Sequence, residues 1–425
     1  MAENIIEIPV VKAGIVYPQS TGEKASLNPE QRLEETVRLA AAINLEVAFA
    51  EIVRLRQIRP DAYFGKGVIE RLREAAAAGE VELLIVDAAL SPIQQRNLEK
   101  ALNLKVIDRT ALILEIFGER AQTKEGSLQV ELAHLTYQRS RLVRSWTHLE
   151  RQRGGAGFLG GPGETQIELD RRIIDEKINK IKKALEKIKQ TRGLQRTARK
   201  RVPYPIVALV GYTNTGKSTL FNRLTEAAVF AENLLFATLD TTMRRLTLPS
   251  GREVILSDTV GFISDLPHEL IMAFRATLEE VLEADVVVQV LDAANSGYKQ
   301  QRRDVLAVLA SLGLDKIEYQ DNYLEVYNKI DLAPSFALPT AKAVKVSALT
   351  GEGCAELLRK LDDILSAGSA VINVDIAASD GKTIAWLHQN GEVLSCAEDG
   401  EVLKMAVRLD VAANSRLKQM LGQHP

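Results

Sequence analysis

Hydrophobic positions in the first part of the chain alternate between two spacings. Short apolar or alternating runs predict strands at residues 10–17, 45–55, 82–87 and 105–108. Apolar side chains spaced by three or four residues predict helices at residues 30–43, 68–78 and 92–101. This alternation predicts an α/β domain over residues 1–125, with a small parallel or mixed sheet covered by helices.

The pattern changes to long helices from about Ser127. Leucines recur at helical spacing at positions 128, 132, 135, 142 and 149, and a second stripe contains Ile174, Ile178, Ile181, Leu185 and Ile188. Ten residues with six glycines, 154–163, separate the two stripes. This is longer than a tight helix connection requires. We therefore predict an antiparallel helical hairpin over residues 126–201, with an extended glycine-rich tip.

Positive charge is concentrated in the second arm of this hairpin. Thirteen Lys or Arg residues lie between Arg171 and Arg201, against three acidic residues. The simpler interpretation is a solvated helix face, but like charges at this density repel one another. Binding of a polyanion, and specifically RNA, is the preferred interpretation.

The chain after the hairpin has the pattern of two further domains. Residues 202–368 combine apolar strands with polar loops that carry the motifs described next. Residues 369–425 predict a small α+β domain in which we find no candidate chemistry. Its two histidines, His388 and His424, stand alone in sequence, and a surface position is expected for both.

The strongest motif lies where an apolar strand passes into a helix. Residues 206–210 are apolar, and Gly211-Tyr-Thr-Asn-Thr-Gly-Lys-Ser218 follows them. Glycines at both ends let the backbone curl so that successive N–H groups point at phosphate oxygens. Lys217 is expected to reach the β- and γ-phosphates, and the Ser218 hydroxyl to bind Mg²⁺. The short segment Phe64-Gly65-Lys66-Gly67 follows no apolar strand, so we interpret it as a helix-entry turn rather than a second nucleotide site.

Two downstream segments have the pattern of nucleotide-dependent switches. The apolar run that ends in Asp258-Thr-Val-Gly261 predicts a carboxylate that holds Mg²⁺ through water, and a glycine N–H that meets the γ-phosphate. Residues Phe236-Ala-Thr-Leu-Asp240 form a loop whose Thr238 hydroxyl is expected on the same metal. The predicted metal ligands are thus Ser218 and Thr238.

Two more strand ends predict recognition of guanine. Asp331, in Asn328-Lys-Ile-Asp331, is expected to accept from the N1–H and the exocyclic amine, which adenine does not present in this pattern. Asn328 is expected at N7, the Lys329 stem on the ring, and the Ala348 N–H of Ser347-Ala-Leu349 at O6. With ATP these groups would stay unpaired, which costs several kcal/mol. The residues expected to contact the nucleotide are Gly211, Tyr212, Thr213, Asn214, Thr215, Gly216, Lys217, Ser218, Phe236, Ala237, Thr238, Leu239, Asp240, Asp258, Thr259, Val260, Gly261, Asn328, Lys329, Ile330, Asp331, Ser347, Ala348 and Leu349.

One group that other GTPases use is missing. In Ras, the residue after the switch glycine is a Gln that orients the attacking water, whereas this chain has Phe262. Either intrinsic hydrolysis is slow or another group supplies the function. Asn214 holds K⁺ on one interpretation and caps the phosphate loop on the other. The predicted catalytic groups are Lys217, Thr238, Gly261 and Asn214.

The composition indicates the class of protein and the compartment in which these motifs are expected. The net charge is −2 and 46% of the residues are hydrophobic, which excludes global disorder. The two cysteines, Cys354 and Cys396, form neither a metal-ligand spacing nor a disulfide framework. The first residues lack a signal-peptide pattern, and no apolar stretch has the length of a membrane span. We expect a cytoplasmic protein with no membrane insertion.

These motifs together resemble the HflX family of ribosome-associated GTPases. The resemblance includes segments outside the nucleotide motifs, namely Lys124-Glu-Gly-Ser-Leu-Gln-Val-Glu131, Trp146-Thr-His-Leu-Glu-Arg-Gln152 and Gly161-Pro-Gly-Glu-Thr-Gln166. It implies a P-loop GTPase domain preceded by an α/β domain and a helical hairpin, and followed here by a small α+β domain.

The resemblance also implies a function. It implies GTP hydrolysis with Mg²⁺, binding to the large ribosomal subunit and its RNA, and splitting of ribosomes under stress. We expect a monomer that does not bind DNA. The alternatives are a GTP-dependent partner in RNA modification or ribosome assembly, and a signalling switch whose hairpin binds protein.

Overall fold

A computed structural model of the chain describes residues 11–20, 28–121, 123–152, 162–199, 204–226, 242–265, 280–367 and 369–421. The first sheet has four parallel strands in the order β2-β1-β3-β4. They are β1 (Lys12–Ser20), β2 (Glu46–Leu55), β3 (Leu83–Val86) and β4 (Lys105–Asp108). The accompanying helices are α1 (Pro29–Ala41), α2 (Lys66–Ala78), α3 (Pro92–Leu102) and α4 (Arg109–Arg120). The predicted alternation of strands and helices is confirmed.

Helix α4 is the element of this region that the sequence did not predict. Its apolar residues Leu112, Ile113, Leu114, Ile116 and Phe117 are all buried. A helix that is buried on most sides lacks the regular polar positions that reveal an amphipathic stripe. Helix α2 begins at Lys66 with Gly65 as its N-cap, so the glycine-containing segment 64–67 is a helix-entry turn, as predicted.

The hairpin consists of α5 (Lys124–Gln152) and α6 (Pro162–Arg199). The two helices pack through the predicted stripes, with Leu135, Ile178 and Ile181 buried and Leu128, Leu132, Ile174 and Leu185 packed around them. The predicted tip needs one correction, because residues 162 and 163 belong to α6. Proline favours the first turn of a helix, where its missing N–H costs nothing. Residues 154–161 of the tip lie outside the described residues.

The central sheet has six strands in the order β10-β9-β8-β5-β7-β6, with β6 antiparallel at one edge and the others parallel. The strands are β5 (Ile206–Gly211), β6 (Thr242–Thr247), β7 (Glu253–Asp258), β8 (Val286–Asp292), β9 (Tyr323–Asn328) and β10 (Val344–Lys345). Its helices are α7 (Lys217–Thr225), α8 (Tyr298–Ser311) and α9 (Cys354–Ser366). The phosphate loop, the Asp258 segment and the two guanine motifs follow β5, β7, β9 and β10. Because these strands are parallel, their carboxyl ends bring the motifs to one edge.

A third sheet, antiparallel and ordered β11-β13-β12, ends the chain. It contains β11 (Ser369–Ala377), β12 (Glu392–Asp399) and β13 (Val402–Asp410), with α10 (Gly381–Asn390) and α11 (Val411–Met420). Glu392 pairs with Arg408 of the same sheet at 2.7 Å and with Arg252 of the central domain at 3.4 Å. The small α+β domain is therefore attached by an ion pair to the turn between β6 and β7.

The first and central sheets share one hydrophobic core. Ile15, Leu39 and Phe117 of the first domain lie in the same buried cluster as Tyr212 and Phe262 of the central domain. This shared packing places α1 against the phosphate loop. No helix in the described ranges is long and apolar enough to cross a membrane. The predicted fold class is confirmed: a P-loop GTPase-type domain preceded by an α/β domain and a helical hairpin, and followed by an α+β domain.

Candidate functional site

The phosphate loop has the tight geometry that its two glycines predict. A Cβ added to Gly211 would lie 2.3 Å from the Val290 carbonyl oxygen, and one added to Gly216, whose φ is +88°, would lie 2.3 Å from Asn328 Nδ2. Any larger residue would therefore push the loop away from β8 or from Asn328. Asn214 also has a left-handed backbone conformation, with φ of 59°. The loop residues from Tyr212 to Thr215 connect β5 directly to the start of α7 at Lys217.

Lys217 is buried inside this loop. Its ammonium donates to the carbonyl oxygens of Gly211 at 3.0 Å and Tyr212 at 2.9 Å. Burial lowers the pKa of Lys217 to about 8, and the Asp258 carboxylate opposes this shift. A bound phosphate would supply the negative charge that the buried ammonium needs. The burial and the lowered pKa agree with the predicted role of Lys217, and its contact with phosphate stays a prediction.

Ser218 and Asp258 form a pair of oxygen donors beside the loop. The Ser218 hydroxyl donates to Asp258 Oδ2 at 2.7 Å, and Asp258 is fully buried at the end of β7. Hydroxyl and carboxylate oxygens are ligands that Mg²⁺ prefers, together with phosphate oxygens and water. The pair therefore fits the expected metal. Thr238, the other predicted ligand, lies with Phe236, Ala237, Leu239 and Asp240 outside the described residues.

The segment after Asp258 pairs with the phosphate loop. Thr213 N donates to the Phe262 carbonyl oxygen at 2.6 Å, and Phe262 N donates to the Gly211 carbonyl oxygen at 3.1 Å. Gly261 is so close that an added Cβ would lie 3.0 Å from Thr213 Cα and 3.2 Å from Lys217 Nζ. The predicted γ-phosphate ligands Lys217 and Gly261 are thus brought together. Thr259 and Val260, which complete this segment, are buried.

The Phe262 side chain is buried, as expected for an apolar aromatic ring. It is 3% exposed and packs in the core shared with the first domain. An apolar ring in this position offers no hydrogen bond to an attacking water. The sequence-based expectation that this residue cannot replace a water-orienting Gln agrees with its placement.

The guanine motifs are connected to one another and to the phosphate loop. Asn328 Nδ2 donates to the Thr215 carbonyl oxygen at 2.8 Å, and the Ser347 hydroxyl donates to Asp331 Oδ1 at 2.6 Å. Lys329 pairs with Asp292 at 2.8 Å, which holds its side chain in place. Of the neighbours, Ile330 is buried, whereas Leu349 is 70% exposed. The guanine motifs therefore form one site with the phosphate loop, although Asn328 lies 113 positions after Thr215 in the sequence.

One predicted interaction has a different partner in this conformation. The Ala348 N–H donates to Asn328 Oδ1 at 2.9 Å. To read guanine O6, this N–H has to exchange that hydrogen bond for one to the base. The hydrogen bond to O6 stays a prediction.

Sequence reasoning missed the contribution of the first domain. A cavity of about 600 Å³ beside residues 212–215 is also lined by Asp292 and Lys329 and by Gln31, Glu34, Glu35 and Arg38 of α1. Tyr212 of the loop donates from its hydroxyl to Glu35 Oε1 at 2.6 Å. Burial, reinforced by Glu35, raises the pKa of Tyr212 well above its ordinary value. The α1 residues looked in sequence like the solvated face of an amphipathic helix, so no local signal revealed them.

Glu35 belongs to a buried network of charged and polar groups. Its carboxylate accepts from the Ser264 hydroxyl at 2.5 Å and pairs with Arg109 at 2.8 Å. Asp87 pairs with Arg109 at 2.9 Å and with Arg32 at 2.8 Å. Burial favours a raised pKa for Asp87, but Arg109 and Arg32 outweigh it and hold that pKa below its ordinary value. The Asp87 carboxylate is therefore ionised and paired with both arginines.

Comparison with family models divides the chain into four matched segments. A GTP-binding GTPase N-terminal model matches residues 30–118, and a GTP-binding GTPase middle-region model matches residues 120–199. A model described as a 50S ribosome-binding GTPase matches residues 206–329, and the HflX C-terminal domain matches residues 336–425. Together these models extend over most of the chain.

Individual relatives agree with these matches. The chain is 48% identical over 394 residues to the GTPase HflX of Magnetococcus marinus, covering 92% of this chain and 90% of that protein. It is 40% identical over 394 residues to the GTPase HflX of Escherichia coli, covering 91% of each. A solved structure, a GTP-binding protein from the archaeon Sulfolobus solfataricus in complex with GDP, matches with a TM-score of 0.43 and 22% identity, covering 84% of this chain and 99% of that one. The phosphate loop, the guanine motifs and the extent of the family and sequence matches show that the chain belongs to the HflX family of GTPases, enzymes that hydrolyse GTP.

Proposed function

We propose that this GTPase binds the large ribosomal subunit through the helical hairpin, and that it uses its nucleotide state to split or rescue stalled ribosomes under stress. The observation that carries the proposal is a row of exposed lysines on α6. Lys180, Lys183 and Lys187 are exposed and follow one another at three- and four-residue spacing. The opposite side of the helix is held against α5 by Ile178 and Ile181.

The composition of this helix face supports an RNA partner. Few of the described lysines and arginines of α6 have an acidic partner nearby; Arg172 lies 4.0 Å from Glu176 at the edge of ion-pair range. Arg139 of α5 pairs with Asp175. A row of unneutralised lysines attracts the closely spaced phosphates of RNA and releases their counterions. The family description of the central segment, a 50S ribosome-binding GTPase, points to the same partner.

In the same proposal, the principal nucleotide-binding residues have separate roles in the GTPase reaction. The N–H groups of the loop 211–218 bind the β-phosphate, and Lys217 and Gly261 contact the γ-phosphate. Ser218 and Thr238 would hold Mg²⁺, with Asp258 acting through a water molecule, and the ion would neutralise charge on the phosphates. Asp331 reads the base, and Asn214 is the candidate for a K⁺ site.

The experiment compares sedimentation of the purified protein with whole ribosomes, separated subunits and free tRNA. We expect co-sedimentation with the large subunit, and we expect neutralising the three lysines to weaken it. The salt dependence of binding should also become shallower, by up to about one unit of the logarithmic slope for each phosphate that a lysine no longer neutralises. The matched control changes three exposed lysines of the central domain, Lys299, Lys316 and Lys342, to Gln. Equal binding by both triple variants would refute the hairpin as the RNA-binding arm.

A GTP-dependent role in RNA modification or ribosome assembly is the second candidate. The same basic face of α6 would then contact tRNA or a precursor subunit. Preferential co-sedimentation with free tRNA, with no binding to the mature large subunit, would favour this candidate over ribosome splitting.

A further inference from the structure

Glu35 of α1 connects two segments of the nucleotide site through one carboxylate. One oxygen accepts from the hydroxyl of Tyr212 in the phosphate loop at 2.6 Å. The other accepts from the hydroxyl of Ser264, three residues after Gly261, at 2.5 Å. Glu35 is 8% exposed, so water cannot easily replace either partner. A residue of the first domain thus fixes the position of the phosphate loop relative to the segment 258–265.

Glu35 belongs to a set of ion pairs whose side chains are buried, except that of Asp265. Arg109 pairs with Glu35 and Asp87, and it donates to the Ser264 carbonyl oxygen at 2.9 Å. Arg32 pairs with Asp87 and, at 2.8 Å, with Asp265 of the same segment. Moving Ser264 and Asp265 therefore removes partners from two buried arginines. Separating one partner from a buried charged group is unfavourable.

In this conformation, the part of the site that would hold the γ-phosphate is closed. Gly261 lies against Thr213, with an added Cβ only 2.8 Å from Thr213 Cγ2 and 3.0 Å from Thr213 Cα. The hydrogen bond from Thr213 N to the Phe262 carbonyl oxygen holds the two segments together. A γ-phosphate binds between the loop lysine and the N–H of the switch glycine. An added Cβ at Gly261 would lie only 3.2 Å from Lys217 Nζ, so a γ-phosphate between these two groups requires the segment that contains Gly261 to move away from the loop. The β-phosphate contacts only the loop.

We propose that Glu35 is a specificity-determining residue that sets the discrimination between GTP and GDP. It does so as a positioning residue, by holding Tyr212 and Ser264 in the conformation in which Gly261 lies against Thr213. Binding of GDP leaves its hydrogen bonds in place. Binding of GTP displaces the segment 261–265 and works against them, so the first domain responds to the third phosphate and not to the first two.

The test measures dissociation constants for fluorescent GDP and for a fluorescent GTP analogue with a β,γ-imido bridge, using the full chain. In Glu35→Gln, we expect the ratio of the dissociation constant of the GTP analogue to that of GDP to fall about tenfold. The substitution removes the charge and replaces one of the two acceptor oxygens by an NH2 group, which donates. The GDP constant should stay close to that of the unmodified protein. Glu30→Gln is the matched control, since Glu30 lies on the same helix but is exposed. An unchanged ratio in Glu35→Gln, or parallel loss of both affinities, would overturn the proposal.

A second variant distinguishes the proposed effect from a general loss of structure in Glu35→Gln. Tyr212→Phe removes only the hydroxyl and leaves the buried charges paired, and we expect it to lower the ratio about fivefold. Because the hydrogen bond that Tyr212→Phe removes is also lost in Glu35→Gln, the double variant should match Glu35→Gln alone rather than combine the two effects. A ratio in Tyr212→Phe equal to that of the unmodified protein, or full additivity in the double variant, would show that Glu35 does not act through the phosphate loop.

Discussion

The Ser218 hydroxyl donates a hydrogen bond to the fully buried carboxylate of Asp258 across 2.7 Å. Ser218 lies in the first turn of α7, and Asp258 ends β7, the strand beside β5. The pair connects the phosphate loop to the segment 258–261, which we expect to change with nucleotide state. Ser218 and Asp258 would hold a metal ion there, and the ion would link the bound phosphates to that segment.

Replacing Asp331 should change the base that the site accepts. In Asp331→Asn, the amide presents a donor where guanine also presents one, and we expect GTP affinity to fall roughly 100-fold or more. Xanthosine triphosphate, which presents an acceptor at that position, should bind more tightly than GTP. Competition of the two nucleotides against fluorescent GDP measures the change. Retention of tight GTP binding would remove Asp331 as the base reader.

Lys217 should make the stability of the nucleotide-free protein depend on pH. Its pKa in the folded state is lowered to about 8 from the ordinary value of 10.5. Between these two values the unfolded chain binds more protons, so the free energy of unfolding contributed by Lys217 rises with pH. The buried charge destabilises the fold fully below pH 8, and the cost diminishes as pH rises above it.

Denaturation of the unmodified protein and of Lys217→Met across pH 7 to 10 measures this contribution. We expect the stability advantage of Lys217→Met to shrink as pH rises, by on the order of a few kcal/mol in total. Saturating GDP should abolish the difference in slope, because phosphate stabilises the charged lysine. Parallel pH profiles of the two proteins without nucleotide would contradict the lowered pKa.

Hydrolysis by the protein alone should be slow and should accelerate on large ribosomal subunits. Phe262 is buried in the core, so the attacking water has no side-chain guide from that position. If Asn214 holds K⁺, replacing K⁺ by Na⁺ at equal ionic strength should lower the rate several-fold, on the order of 1 kcal/mol in the barrier. Asn214→Ala should lose this cation dependence. Identical rates in both salts would leave Asn214 as a cap of the loop.

Shortening the hairpin tip should separate RNA binding from ribosome splitting. The basic face on α6 lies outside the tip, so replacing residues 154–163 by a tight turn should preserve affinity for the large subunit. Splitting should be abolished if the tip wedges the subunits apart. Light scattering of whole ribosomes follows splitting, and sedimentation follows binding. Full splitting by the shortened protein would show that another surface separates the subunits.

The nucleotide motifs could be predicted from the sequence because each of them is local. Each motif is a strand end followed by residues at fixed spacing, and parallel strands necessarily bring such ends to one edge. The strands and helices around residues 12–108 were equally predictable, since each alternates or repeats within ten or so residues. Helix α4 was not, because its apolar residues point to several sides at once.

The contact between the first domain and the nucleotide site could not be predicted from the sequence. Arg32, Glu35 and Arg109 have the spacing of ordinary surface residues, yet each is buried against Asp87 or Ser264. The sequence separation is 22 positions for the pair Arg109 and Asp87, and 232 positions for the pair Arg32 and Ser264. Hydrophobic periodicity shows which face of a helix is apolar, but it does not show which polar residues at the edge of that face meet another domain. That depends on how the two sheets share one core, and the resulting ion pairs exist only once the domains have packed.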